Sequence, residues 1–291
     1  MKNKGLRAAI AFLLVNAAVT MCAAQQAPPL DKALLELRSR GIDYYKAQQF
    51  DKAIDAFSRA LALEPLDAAS NNNLGVAFAA LGRGHEAIEF LERAIKLDPE
   101  FAEAFCSLGT QYYHLGDSSK AIEFLQRAVR LKPDYVLALN NLGGAYLETS
   151  NHREAIRLFE RVVSLSAGYA EARSSLAVAF AREGNYDAAI KHLKEAIRLK
   201  PDYFEAHNNL GAAYYHRQKY KQASESFVRA IELNSKYEDA IYNLGVLSLQ
   251  RKQRADALAQ YGKLKTLNTE LADELYRGLY KGMILSLRNK K

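Results

Sequence analysis

The chain has 291 residues, and its content of 49% hydrophobic and 25% charged residues is that of a folded protein, which excludes general disorder. Its two cysteines, Cys22 and Cys106, exclude a disulfide framework and a zinc site built on cysteine pairs. The formal net charge is +7, or +4 without the three basic residues of the N-terminus. Such a charge attracts nucleic acid only weakly, so we expect no nucleic-acid partner.

The N-terminus has the pattern of an export signal. Three basic residues within the first seven precede the apolar run 8–19, and small residues at positions 22 and 24 suit signal peptidase. This run is shorter than the about 20 residues that span a bilayer, so we expect a signal peptide at 1–24, cleaved after Ala24. Export to a bacterial periplasm or to the medium follows from this interpretation. The alternatives are an uncleaved membrane anchor and lipid attachment at Cys22. Residues 25–33, which follow the predicted signal peptide, form a lead segment that contains prolines.

A fixed period dominates the rest of the sequence. The tetrapeptide NNLG begins at Asn72, Asn140 and Asn208, at intervals of 68 residues, and related tetrapeptides lie halfway between these copies. Seven units of 34 residues, without insertion or deletion, therefore cover 34–271. A period of this length is typical of repeat architectures. Alanine recurs at the same step in all seven units: Ala53, Ala87, Ala121, Ala155, Ala189, Ala223 and Ala257.

Each unit has the apolar spacing of two helices. In the unit 102–135, Phe105 and Tyr112 mark the ends of a stripe on a first helix, and Ala121 and Ala128 those of a stripe on a second helix. A Gly-Asp pair separates the two helices, and a Lys-Pro-Asp sequence ends the second one. Glycine inside a helix costs about 1 kcal/mol relative to alanine. Its recurrence at position 8 of six units therefore predicts a close contact between the paired helices.

This pattern closely resembles the tetratricopeptide repeat family, which has small residues at positions 8, 20 and 27, an aromatic residue at 11 and proline at 32. The first unit departs from the pattern only at Arg40, and the last unit departs at Ser248 and Leu264. The resemblance implies an all-α fold, a right-handed α-solenoid of helix-turn-helix repeats whose first helices line a concave groove. The matching residues of the first unit are Leu37, Gly41, Tyr44, Ala53, Phe57, Ala60 and Pro65.

A solenoid needs a closing element at its end, and residues 272–291 are predicted to supply it as a capping helix and a basic tail. Apolar residues recur there at every fourth position, which gives one stripe that can cover the last repeat. The alternative is that the basic tail contacts an anionic membrane surface. The stripe consists of Leu271, Leu275, Leu279, Met283 and Leu287, and the tail contains Arg288, Lys290 and Lys291.

Asparagines form a row on the side of the first helices that faces the groove in the resembled family. A carboxamide both donates and accepts hydrogen bonds, so the row can bind the backbone of an extended peptide. The row resembles the asparagine ladder in the repeat arm of O-linked N-acetylglucosamine transferases, although no transferase domain is expected here. The alternative is that the asparagines bond between neighbouring repeats. The candidates are Asn73, Asn141, Asn209 and Asn243 at position 6 and Asn72, Asn140 and Asn208 at position 5.

Tyrosines at position 12 are the candidate anchors for a ligand. Tyr45, Tyr113 and Tyr215 each follow the core aromatic residue of position 11 and are expected to turn toward the groove. Aromatic side chains often dominate the binding energy of such surfaces. We therefore expect them to determine which sequences bind.

The function that these features favour is a non-catalytic scaffold that binds extended peptide segments or partner proteins. No two of the six histidines are three or four residues apart, and no glycine-rich phosphate loop occurs, so we expect neither a metal nor a cofactor. The alternative function is a membrane-tethered envelope-assembly factor of a pilus or polysaccharide machinery. The sequence does not identify the partner.

Processing can be tested directly. If 1–24 is a cleaved signal peptide, the mature protein begins at Gln25 and carries no lipid. Intact-mass spectrometry of the protein from its native host is expected to give the mass of residues 25–291. A mass that includes residues 1–24, or an added diacylglycerol on Cys22, would contradict this interpretation.

Overall fold

The computed structural model describes residues 30–281 together with 285, 287 and 288. The predicted signal peptide, most of the lead segment, and Met283, Lys290 and Lys291 lie outside the described residues. The described part of the chain consists of helices and connecting turns, without a strand, and this confirms the all-α repeat solenoid. None of its helices is long and apolar enough to cross a bilayer.

Seven consecutive helix pairs, α1 to α14, are followed by one further helix, α15. Several of the helices begin with a side-chain cap, as at Asp67, Asp117 and Asn185, where the side chain accepts a hydrogen bond from the N–H group three residues later. The bounds are α1 Leu30–Lys46, α2 Phe50–Leu63, α3 Ala68–Ala80, α4 Gly84–Leu97, α5 Ala102–His114, α6 Ser118–Leu131, α7 Val136–Glu148, α8 His152–Leu165, α9 Ala170–Arg182, α10 Tyr186–Leu199, α11 Phe204–His216, α12 Tyr220–Leu233, α13 Glu238–Gln250, α14 Arg254–Leu267 and α15 Thr269–Lys281.

The chain divides into two compact units, Met1–Ser107 and Leu108–Lys291. The core of the first unit is built around Phe57 and Phe78, which pack with buried alanines of α2, α3 and α4. The second unit contains a core around Phe227 and Leu193 and another around Tyr242 and Leu275. In each core the apolar stripes of successive helices are removed from water, which is the main stabilising term of a repeat array.

The turn inside each helix pair contains a residue with positive φ, and these residues are 34 positions apart. Three are glycines, whereas Gln48, Ser150, Gln218 and Lys252 adopt φ between 57° and 60° although they carry side chains. After α11 the amide N–H groups of the turn bond back to the last carbonyls of the helix, from Gln218 to Tyr215 at 2.8 Å and from Lys219 to Tyr214 at 2.9 Å. The left-handed conformation costs a non-glycine residue about 1–2 kcal/mol. Packing of the paired helices therefore imposes this turn where glycine is absent.

The glycines of position 8 lie against the second helix of their own pair. A methyl group on Gly143 would lie 2.8 Å from Cε1 of Phe159, and one on Gly211 would lie 2.6 Å from Cδ1 of Phe227. Both rings are buried and surrounded, so they have little room to move. The last pair differs, because Gly245 faces Leu275 of α15 at 2.6 Å. Here the glycine makes room for the terminal helix.

The terminal helix covers the last pair, but it is shorter than the apolar stripe predicted. Leu271, Leu275 and Leu279 are buried as expected, and α15 ends at Lys281. Leu287 lies beyond the helix, in non-helical chain, and packs from there against the core around Phe227 and the core around Tyr242. The fourfold spacing therefore describes α15 but not Leu287. Arg288, also beyond the helix, bonds through its backbone to Asn243 of α13.

Two glycines test the packing role of position 8. Gly143→Leu should destabilise the protein by about 1–3 kcal/mol, because the new side chain collides with a buried ring. Gly262→Leu is the matched control, since Gly262 is also helical but exposed, with no atom near the position of a new Cβ. It should gain up to about 1 kcal/mol from helix propensity. Denaturant unfolding measures the change in the free energy of unfolding for each variant. A change of the same sign in both variants would contradict the packing role of position 8.

Candidate functional site

A pocket of about 130 Å³ in the second unit brings together three of the predicted site residues. Tyr113 comes from α5, and Asn140 and Asn141 come from α7. Their positions in the repeat, 12, 5 and 6, are the ones expected on the groove side. The remaining lining residues come from α7, α8 and α9: Gly144, Leu147, Glu148, Phe159, Ser175, Val178 and Arg182.

Tyr113 occupies this pocket because the next first helix offers it space. Its hydroxyl lies opposite Gly144, where a methyl group would be only 3.3 Å from Oη. Burial of the half-buried ring, and then the nearby carboxylate of Glu148, raise the pKa of Tyr113. The phenol therefore remains neutral at physiological pH and can donate a hydrogen bond beside an apolar ring face.

A second pocket, of about 320 Å³, adjoins the first on α9. Val178 and Arg182 line both pockets, and Asn209 of α11 belongs to the second one. The ring of Tyr186 stacks on His216 at this pocket, with 4.6 Å between the centroids. The other lining residues are Ala177, Ala181, Leu193, Ala213 and Leu287. We call the lining residues of the two pockets the pocket face.

Sequence reasoning did not single out several residues of the pocket face. Val178 is at position 9 of its unit and Arg182 at position 13, both of which are groove-side positions. Their positions are a usable signal, but the residue types at positions 9 and 13 vary from repeat to repeat. Leu287 gave no such signal, because it was assigned to the stripe of a helix.

The asparagines of the row differ in their bonds. Nδ2 of Asn141 donates to Oγ1 of Thr110 in the preceding first helix at 2.8 Å, which is the bond between neighbouring repeats that the structural alternative requires. Nδ2 of Asn140 donates to Oδ1 of Asn141 at 3.4 Å, and Asn72 and Asn73 form the same pair in the first unit. The carboxamide oxygens of three members are buried without a hydrogen-bond partner in the described part of the chain: Asn72, Asn140 and Asn209.

The side chain of Asn243 bonds to the backbone of Arg288. This side chain is fully buried, and Nδ2 donates to Oδ1 of Asn208 at 2.9 Å. The same carboxamide also pairs with Arg288, accepting from its backbone N–H at 2.6 Å and donating to its backbone carbonyl at 2.5 Å. This paired contact is the one that the asparagine row was predicted to make with a peptide.

Two of the predicted tyrosines lie elsewhere. Tyr215 does not line either pocket among the described residues, and it packs beside Tyr220 with 5.7 Å between the ring centroids. Tyr45 belongs to the first unit, where its ring meets Phe50 edge to face at 5.3 Å. The structure thus joins Tyr113 with asparagines of the row but leaves Tyr215 and Tyr45 in aromatic contacts of their own repeats.

Other chemistry on the described residues is sparse. They contain no group of three or more histidine, cysteine or acidic side chains that could hold a metal ion. Cys106, at position 5 of its unit, is buried, with 1% of its surface exposed. A buried thiol in a packed helix acts as a small apolar side chain.

Family comparisons agree with this architecture. Models described as Tetratricopeptide repeat match residues 38–101, 100–167 and 204–237, and a model described as TPR repeat matches 179–216. The chain belongs to the tetratricopeptide repeat family. No curated protein matches it.

Solved structures share the fold. MamA is 30% identical over 55% of this chain and 94% of its own, with a TM-score of 0.50. A tetratricopeptide repeat protein from Parabacteroides merdae is 21% identical over 84% of this chain and 98% of its own, with a TM-score of 0.66. YrrB, described as a TPR protein with an unusual peptide-binding site, is 22% identical over 69% of this chain and 99% of its own, with a TM-score of 0.56.

The bond between Asn141 and Thr110 can be measured by a double-mutant cycle. Asn141→Ala and Thr110→Val should each reduce the free energy of unfolding, and the coupling between them should be about 1 kcal/mol because both remove one hydrogen bond. Chemical denaturation of the wild type, the two single variants and the double variant gives this value. Additive effects would show that the bond contributes nothing to stability and that Asn141 serves another role.

Proposed function

We propose that this protein is a non-catalytic scaffold that binds extended segments of partner proteins along the pocket face. The observation that carries the proposal is that Tyr113, Asn140, Asn141 and Asn209, which were expected to face a ligand, line two adjoining pockets. Pockets that adjoin along successive first helices suit a ligand that is longer than one side chain. We propose that this activity lies outside the cytoplasm, and the export signal predicted at 1–24 supports that part of the proposal.

Buried acceptors on the pocket face favour a ligand with backbone N–H groups. The oxygens of Asn140 and Asn209 are buried without a partner among the described residues. Leaving such an acceptor unpaired costs about 1–3 kcal/mol, and a peptide N–H removes that penalty when the carboxamide turns its oxygen toward the ligand. An extended peptide offers these donors at regular intervals, whereas a helical ligand uses them internally.

Backbone bonds alone do not give useful affinity. Three asparagines of the pocket face, at about 1 kcal/mol each, amount to roughly 3 kcal/mol, which corresponds to a dissociation constant in the millimolar range. Apolar side chains of the ligand must add to this, and the ring of Tyr113 with Val178 provides surface for them. Arg182, between the two pockets, and Glu148, at the first pocket, add charge selectivity.

Relatives support the proposal at the level of the fold. YrrB has a peptide-binding site according to its description. Its likeness to this chain shows a common fold. The proposal that this chain also binds peptides depends on the pocket face. Repeats of one kind occupy most of the chain, which favours a scaffold over an enzyme.

Selection of peptides from a random phage-displayed library tests the function. The wild-type chain should enrich related sequences, and Tyr113→Ala should weaken their binding by about tenfold or more, because aromatic anchors contribute 1–2 kcal/mol or more. Tyr276→Ala is the matched control, since Tyr276 is exposed on α15 and its ring lies tilted against that of Tyr280. Fluorescence anisotropy with the selected peptides gives the dissociation constants.

Two results would overturn the proposal. One is a library that yields no enriched sequence. The other is a set of ligands whose affinity falls equally in the Tyr113→Ala variant and in the Tyr276→Ala control. Circular dichroism of both variants separates a loss of binding from a loss of folding.

A further inference from the structure

Three described residues lie beyond the last helix, and one of them, Arg288, bonds to the end of the asparagine row. Leu285, Leu287 and Arg288, here called the tail residues, are non-helical and belong to the second unit. Their partners are α11, α13 and α15. The contacts use backbone, charge and apolar surface together.

Asn243 binds the backbone of the tail as it would bind a peptide. The N–H and the carbonyl of Arg288 both bond to one carboxamide, at 2.6 and 2.5 Å. Because these bonds go to backbone atoms, they do not depend on which side chain the residue at position 288 carries. Asn208 accepts the second hydrogen of the same Nδ2 at 2.9 Å, which fixes the orientation of the carboxamide.

The side chain of Arg288 has its own partners. Its Nη2 donates to Oε2 of Glu274 at 2.8 Å, and its guanidinium lies 5.6 Å from the ring centroid of Tyr242. Tyr242 in turn donates to Oε1 of Glu274 at 2.6 Å. Partial burial raises the pKa of Glu274, but the hydrogen bonds from Tyr242 and Arg288 outweigh this and lower it. The carboxylate therefore remains ionised and selects a cation.

The two leucines anchor the tail by apolar contact. Leu285 lies so close to α15 that a methyl group on Gly278 would be 2.5 Å from its Cδ1. Leu287 lines the second pocket together with Asn209 and packs against the core around Phe227 and the core around Tyr242. The tail therefore reaches the pocket face itself.

We propose that Asn243, Asn208, Tyr242 and Glu274 form a peptide-binding site that the tail of the same chain occupies. The site takes an extended segment with an apolar residue followed by a cationic one, as in Leu287-Arg288. A partner with this pattern competes with the tail, so the tail reduces the affinity of the pocket face until it is displaced. The proposal deepens the proposed function and rests on it.

Release of the tail in the full-length chain tests the proposal. The variant Leu287→Asp with Arg288→Pro removes the apolar anchor and the backbone N–H and leaves Asn243, Asn208, Tyr242 and Glu274 unchanged. A fluorescent synthetic peptide with the sequence of residues 282–291 is then added, and anisotropy gives its affinity. The released variant should bind this peptide about tenfold or more tightly than the wild type, because the wild-type site is available only when its own tail is absent.

Three comparisons complete the experiment. Lys290→Pro is the matched control, because it places a proline outside the described contacts and should leave the weak wild-type binding unchanged. Glu274→Gln in the released variant should weaken binding of the peptide, and a peptide with Arg288→Glu should bind less tightly than the parent sequence. Exchange of the Arg288 amide, followed by NMR, should be slow in the wild type and in the Lys290→Pro control and faster in the single variant Leu287→Asp, which keeps this amide but lacks the apolar anchor.

The proposal fails if the released variant binds the peptide no better than the wild type, or if the Arg288 amide exchanges rapidly in the wild type. It also fails if the wild type is a dimer that the released variant dissociates, since the tail would then belong to a second copy. The library selection described above is independent of these results. If selection succeeds while release has no effect, the scaffold function stands and only the occupation by the tail is wrong.

Discussion

Close contact between the two helices of each repeat is the constraint on which the rest of the structure depends. Gly143 and Gly211 leave no room for a methyl group beside buried phenylalanine rings, so the first helix can lie directly on the second. Seven turns with a positive-φ residue at the same position keep this geometry in register. Within each compact unit the first helices then present equivalent positions in succession, and a residue type that recurs at one position becomes a row there. The asparagine row and the pocket face are consequences of this regular packing.

The asparagines show how one residue type serves two purposes in a repeat array. Asn141 bonds to Thr110 of the preceding repeat, and Asn243 bonds to Asn208 and to the backbone of Arg288. A carboxamide has donors and acceptors to spare, so a bond between repeats does not exhaust it. The structural and ligand-binding interpretations of the row are therefore compatible. The bond to the neighbouring repeat orients the side chain, and the remaining capacity is available to a backbone.

The end of the array differs from its middle because it has no following repeat. In the last pair, Gly245 faces Leu275 of α15, and Tyr242 bonds to Glu274 of the same helix. The tail then bonds to α13 and α15 through Arg288. If the tail is a displaceable occupant, the element that closes the solenoid also controls its binding site. Stability and regulation would then share the same contacts, and a partner would exchange one set of backbone bonds for another.

The sequence by itself determined the period, the paired helices, the all-α solenoid and the close contact at position 8. These follow from local spacing and from the steric size of single residues, which are the same in every repeat. The tertiary structure alone decided which predicted residues act together. Tyr113 enters a pocket opposite Gly144, whereas the position that corresponds to Gly144 in the repeat after Tyr215 is occupied by Val246. The contact of Asn243 with Arg288 joins residues 45 positions apart and replaces a helical stripe that the spacing predicted. Such contacts depend on the balance between helix continuation and long-range hydrogen bonds, and the periodic pattern of the sequence contains no information about that balance.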